Sequence, residues 1–369
     1  MRRLFWAMCL VLLASNVMVA QNHTLIALGH GDHSVNEIDT TTGNILHKFT
    51  AVDQPHEFAI SPDGKTIYAA VPSAAHVVIL DATTFKEKGK IESPFFHGKT
   101  PQPAARGQRA GRGGEGGGAP RGNALPGVNV PDSASPHGMG MNTDGSKLYI
   151  GIENADIPGV VVYDTKAGKV LKKMDLVLKG GHYLQVQPNT DKVYYPFRND
   201  NRVMVIDGKT DTIKKIIDVP GGPVGVDFAP NGEVWIHGDG NNGVEGQVAV
   251  IDGKTDTVIK TIQTPGKGAG RMAVSRDGKW AASTHQGTKD VAIIDAVKKE
   301  VVGSVVVDGG PGFPVFSPDG TKLYVMVSST SDVAVIDLKQ MKVTGRWKAG
   351  QETFGGGIRF PNGRPTSSN

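Results

Sequence analysis

The sequence predicts an all-β fold, a seven-bladed β-propeller with four-stranded blades, closed by a C-terminal A strand joining the N-terminal blade. Three observations predict it. The first is a repeat: V-A-V-I-D at 248–252 has near-copies at 203–207, 291–295 and 333–337, and looser ones at 35–39, 77–81 and 160–164. The motifs end on Asp39, Asp81, Asp164, Asp207, Asp252, Asp295 and Asp337, at gaps of 42, 83, 43, 45, 43 and 42 residues. Self-similarity at a period of about 40–50 residues marks a solenoid, propeller or array. The second is a recurring turn, S-P-D-G at 61–64 and 317–320, R-D-G-K at 276–279, N-T-D-G at 142–145 and A-P-N-G at 229–232. Asp-Gly and Asn-Gly supply positive φ at low steric cost, as hairpins require. The third is phase. The chain starts on a second strand, and the missing first strand is found at the other end.

Each repeat reads as strands A to D. In blade six these are Arg271–Ser275, Trp280–Thr284, Val291–Asp295 and Val301–Val307, with the repeated turn between A and B. Strand C alternates and is rich in Val and Ile, as buried strands are. The C–D turn begins at the repeated aspartate, whose carboxylate is expected to cap N–H groups of its own turn. Blade four departs at the A–B turn, with Gln187-Pro188-Asn189-Thr190. Blade one begins at Thr24–Gly29 as strand B, followed by Val35–Asp39 and Ile45–Thr50; its A strand is expected from Phe354–Phe360. A strands then fall near residues 56, 137, 182, 224, 271, 312 and 355. Such a ring leaves few free strand edges, and removing residues 354–369 should destabilise all of it.

The gap of 83 holds an insertion, 93–135, between strand D of blade two and strand A of blade three. It is rich in Gly, Pro and Arg and poor in apolar residues, so it reads as a flexible surface loop. Its Arg106, Arg109, Arg112 and Arg121 sit in an Arg-Gly tract, which is a candidate contact for nucleic acid or another polyanion.

The N-terminus carries Arg2 and Arg3 and then the apolar run Leu4–Leu13. That pattern reads as a signal peptide over 1–20, leaving 21–369 as the propeller and no membrane span in the mature chain. An exported, periplasmic or extracellular protein is expected. Cys9 is the only cysteine, so the mature chain would hold no disulfide and no catalytic thiol. The formal charge of +4 falls to +2 without Arg2 and Arg3, too near neutral to argue for nucleic acid from bulk charge. A monomer is expected.

The motifs V-x-V-I-D-x-x-T and S-P-D-G-T-K-L-Y-V (Ser317–Val325) resemble the YVTN-family β-propeller repeat. The resemblance covers about 24–363 apart from the insertion. It implies seven blades and an exported or surface protein, and it implies no single activity; some relatives bind DNA. No Trp-Asp pair ends the C strands, which argues against WD40 repeats.

In four-stranded blades the D–A connections and B–C loops share one face. Eight of the 11 histidines map there. His56, His137 and His182 start A strands, which line the channel. His30, His33, His237 and His285 fall in B–C loops, and His97 lies in the insertion. Imidazoles converging at the channel mouth could bind copper or zinc, or act as general acid or base. Arg198 and Arg271 on the same face could hold a carboxylate or phosphate. Asp32 between His30 and His33 forms the most compact constellation in the sequence. No H-x-H or H-E-x-x-H spacing is present, and no nucleophile elbow, phosphate loop or dinucleotide fingerprint.

These features fit an exported binding scaffold that presents loops and the channel mouth to a protein, small-molecule or polymer ligand. The alternative is a lactonase-like hydrolase or lyase, or a metal enzyme, using the histidines. P-H-E-F-A-I-S-P-D-G at 55–64 loosely resembles a lactonase A strand, an analogy at the level of fold. A haem-linked role lacks a C-x-x-C-H motif.

Overall fold

A computed structural model describes residues 23–51, 53–96, 134–153, 158–178, 180–239, 245–268 and 270–363. Residues 1–20, where a leader is expected, and Arg106, Arg109, Arg112 and Arg121 lie outside the described residues. Seven sheets of four antiparallel strands are present, each in the order A-B-C-D. No helix among the described residues is long and apolar enough to cross a membrane.

The ring closes as expected. Thr353–Arg359, near the end of the chain, supplies strand A of blade one. It pairs antiparallel with strand B, Thr24–Gly29, with Leu25 opposite Ile358 and Thr24 opposite Arg359. Arg359 fastens the joint: its guanidinium meets the buried carboxylate of Glu37 on strand C, and its Nε–H donates to the Gly64 carbonyl of blade two at 2.9 Å. Seven apolar clusters fill the seven seams between neighbouring blades. The seventh joins Phe313, Tyr324 and Met326 of blade seven to Leu25 and Ala27 of blade one, so the core itself is circular.

Each C–D turn is built the same way. The terminal aspartate accepts backbone N–H bonds two or three residues on, as in Asp252 Oδ1 to Lys254 N at 2.7 Å and to Thr255 N at 3.1 Å. Four residues after each aspartate the backbone turns left-handed, at Gly43, Phe85, Gly168, Asp211, Asp256, Lys299 and Met341. A register shift in the C–D pairing accompanies every such turn. On this face some turns also lock neighbouring blades. Lys192 and Tyr194 of blade four reach Asp256 of blade five at 2.8 and 2.6 Å, and Lys147 and Tyr149 of blade three repeat the clamp on Asp211.

The A strands crowd the axis, and glycine permits it. A Cβ on Gly138 would come within 2.5 Å of the His182 carbonyl oxygen, and one on Gly312 within 2.5 Å of the Phe354 carbonyl oxygen.

A histidine-lined channel mouth

The channel floor is an ion pair across the ring. Glu57, one residue before strand A of blade two (Phe58–Ile60), meets Arg271, one residue before strand A of blade six (Met272–Val274), at 3.2 Å. Both are almost fully buried, with side chains 1% and 3% exposed. Three rings cage the guanidinium: Phe313 at 5.0 Å, Phe354 at 5.3 Å and Tyr183 at 5.6 Å. A desolvated cation over an aromatic face gains up to about 2 kcal/mol, which helps offset the cost of burying the charge.

Above this floor four imidazoles form a row across four blades. His30 and His56 stack with centroids 4.9 Å apart, His56 and His137 lie 4.4 Å apart, and His137 and His182 4.6 Å apart. His30 lies in the B–C turn of blade one, His56 and His182 precede the A strands of blades two and four, and His137 is the third residue of strand A of blade three (Ser135–Met141), so each ring comes from a different blade. Burial and neighbouring positive groups weaken the basicity of His30, His137 and His182. His30 is lowered to about 3, by burial first and then by His56 and Arg271. His137 and His182 lie well below the usual imidazole range, burial again being the main cause. These three rings are therefore neutral, with lone pairs to offer.

His137 is the pivot. Its Nε2 lies 3.1 Å from Glu153 Oε2, and its Nδ1 lies 3.3 Å from the backbone oxygen of His182. Both neighbours are acceptors, and a neutral imidazole carries one N–H. Whichever nitrogen holds the proton, the other lone pair faces an oxygen. His56 Nδ1 and His182 Nδ1 are also buried without a hydrogen-bond partner among the described residues. Two groups place donor atoms within 4.8 Å of one another: His137, Glu153 and His182, and His56, Glu57 and His137.

Two cavities flank the row. The larger, about 470 Å³, is bounded by His30, His56 and His182 on one side and by Arg198, Arg271 and Phe354 on the others. The smaller, about 220 Å³, opens on the far side against His56, His137, Glu153 and Ser135.

Not every candidate from the sequence joins the mouth. His237 and His285 lie in B strands (Val234–Gly238 and Trp280–His285), not in B–C loops, and both are fully buried. His237 Nδ1 meets Ser283 Oγ at 2.7 Å and His285 Nε2 meets Thr264 Oγ1 at 2.9 Å, so they serve the seam between blades five and six. His33 turns away, its Nε2 3.9 Å from Asp53. Asp32 is taken by Ser34 at 2.7 Å and Lys48 at 2.8 Å. The compact constellation thus runs between blades and not along one loop. Arg198 is at the mouth, 2.6 Å from Asp239, whose side chain is fully buried.

Glu57 and Glu153 join the site although no motif in the sequence singles them out. Counting outward on both sides of the N-T-D-G turn would have found Glu153, because the hairpin register sets it opposite Ser135, two residues from His137. Phe313, Phe354 and Tyr183 carried no polar signal.

Fold and site together define a closed seven-bladed β-propeller with an imidazole row at one channel mouth. No family model matches the sequence, and no curated protein matches it; the seven blades implied by the YVTN resemblance are present, and the family itself stays a resemblance. Solved structures share the architecture. A protein of Desulfotomaculum acetoxidans described as functionally unknown matches at TM-score 0.69 and 14% identity, over 92% of this chain and 99% of that one. Hydrazine synthase of Kuenenia stuttgartiensis matches at TM-score 0.63 and 19% identity, over 81% and 87%. Apo AztD of Citrobacter koseri matches at TM-score 0.58 and 16% identity, over 91% and 98%. At these identities the likeness is one of fold.

Proposed function

We propose that this chain is an exported binding propeller whose channel mouth takes a divalent transition metal ion, zinc or copper, on His137, Glu153 and His182. One observation carries the reading: the buried ring of His137 stands between two acceptors, 3.1 and 3.3 Å away, with one proton to offer. A cation between His137 Nε2 and Glu153 would satisfy both lone pairs. With metal–ligand bonds of about 2.0–2.1 Å, tetrahedral geometry sets neighbouring donors about 3.4 Å apart, close to the gap present. Neutral imidazole suits a borderline-soft metal, and a two-histidine, one-carboxylate set leaves a position open toward solvent or a further ligand. Glu57 and His56 bring donor atoms within 4.8 Å of His137 and would help hold its ring in place. Export is supported by the basic and then apolar N-terminal run, and a scaffold role by the rigid circular core.

The test is metal content. Purified protein dialysed against limiting zinc, and separately copper, should retain one ion per chain by plasma mass spectrometry. His137→Ala and Glu153→Gln should each lose it, while His33→Ala, off the row, should not. Protein that retains no ion, or variants that all retain it, would refute the site.

A further inference from the structure

We infer that the larger cavity is an anion site, built to take the carboxylate or phosphate group of a small organic ligand on Arg198. Three features of the cavity point there. Its charge is one-sided: two guanidinium groups line it, the buried Arg271 and the more open Arg198, against one carboxylate among the described residues, the exposed Glu352. The histidines around it are His30, His56 and His182, and the permanent positive charge is that of the two guanidinium groups. Arg271 is spoken for by Glu57, although its buried Nε has no partner among the described residues.

Arg198 is arranged differently. One terminal nitrogen meets Asp239 at 2.6 Å, and the side chain remains 44% exposed. A guanidinium has five N–H donors in a fixed fork, so one anchored corner orients the rest. Asp239 holds the fork from behind, fully buried, and is not part of the cavity wall. Such an arrangement favours two-point recognition of a planar or tetrahedral oxyanion. Further donors ring the space, in the Gln286 amide and the Ser328 and Ser329 side chains, and Phe354 and Val224 offer apolar surface to a ligand's body. A volume of about 470 Å³ suits a small metabolite and not a folded partner. Arg198 is not among the proposed metal ligands, so anion binding and metal binding can fail separately.

Calorimetric titration of the full chain, stripped of metal with EDTA, tests this with two probes, succinate and inorganic phosphate. One anion should bind per chain, and more weakly as salt rises through the range where screening sets in. Tighter succinate marks a carboxylate ligand and tighter phosphate a phosphoryl ligand. Arg198→Gln should weaken binding by about tenfold or more. Arg198→Gln with Asp239→Asn should lose it equally, which separates lost recognition from a stranded buried carboxylate. Arg202→Gln, an exposed guanidinium paired with Asp218 on the rim, should bind as the parent does. If neither anion saturates the protein, or if Arg198→Gln binds undiminished, the site is refuted.

Discussion

Replacing Arg359 tests how the ring is held shut. Arg359 and Glu37 are 6% and 2% exposed, so they form a buried pair between the last strand and the first blade. In Arg359→Ala the Glu37 carboxylate keeps Thr24 Oγ1 at 2.6 Å and His47 Nδ1 at 2.9 Å but loses its cation. Stranding one partner of a buried pair costs about 3–5 kcal/mol. The Gly64 carbonyl also loses its donor, at about 1 kcal/mol. A loss of about 4–6 kcal/mol is a large part of the 5–15 kcal/mol typical of a folded protein. Replacing both, as Glu37→Leu with Arg359→Met, removes the charge instead of stranding it, and should recover most of the loss. Urea unfolding followed by tryptophan fluorescence measures Arg359→Ala, Glu37→Leu, Arg359→Met and the double variant, and the cycle through the last three gives the coupling. Should Arg359→Ala stay within about 1 kcal/mol of the parent, or the double variant be merely additive, the closure is not held by this pair.

Two further outcomes follow from the same structure. Gly138→Ala would push a methyl to 2.5 Å from the His182 carbonyl oxygen and 2.6 Å from the Leu184 nitrogen. Neither backbone atom can rotate away, so a loss of about 1–3 kcal/mol in thermal or urea unfolding is expected, together with weaker zinc retention as His137 and His182 part. Burial raises the Asp239 carboxyl from 3.8 to about 6 despite Arg198. The folded state then holds this proton more tightly than the unfolded chain does, so stability is lost as pH rises from about 4 to about 6, by at most about 3 kcal/mol. Parent and Asp239→Asn unfolding compared across that range should diverge in this direction; a flat difference would contradict it.

How much of this was legible in the letters differs by element. The C-strand repeat marked every blade because buried strands demand Val and Ile in alternation, and the aspartate after it caps its turn in all seven copies. The left-handed residue four places on was hidden, because glycine holds only two of those seven positions and Phe85, Asp211, Asp256, Lys299 and Met341 take the others. The missing A strand could be inferred because Phe354–Phe360 had no other blade to join. The site was harder to read. His56, His137 and His182 were placed correctly because A strands line the axis of any propeller. His237 and His285 were not, because strand B runs longer here than its alternation suggests and carries them into a seam. The role of Glu153 depends on a contact with His137 made within one hairpin, visible only once the register is known. The aromatic cage around Arg271 joins residues from blades four, seven and one, and no local pattern announces contacts across an axis.

The most direct measurement is a crystal of zinc-loaded protein with data collected on either side of the zinc absorption edge. One anomalous peak is expected at the channel mouth, about 2.0–2.2 Å from a nitrogen of His137, a nitrogen of His182 and an oxygen of Glu153. A peak elsewhere on the chain, or a mouth without one at full zinc occupancy, would contradict the metal reading.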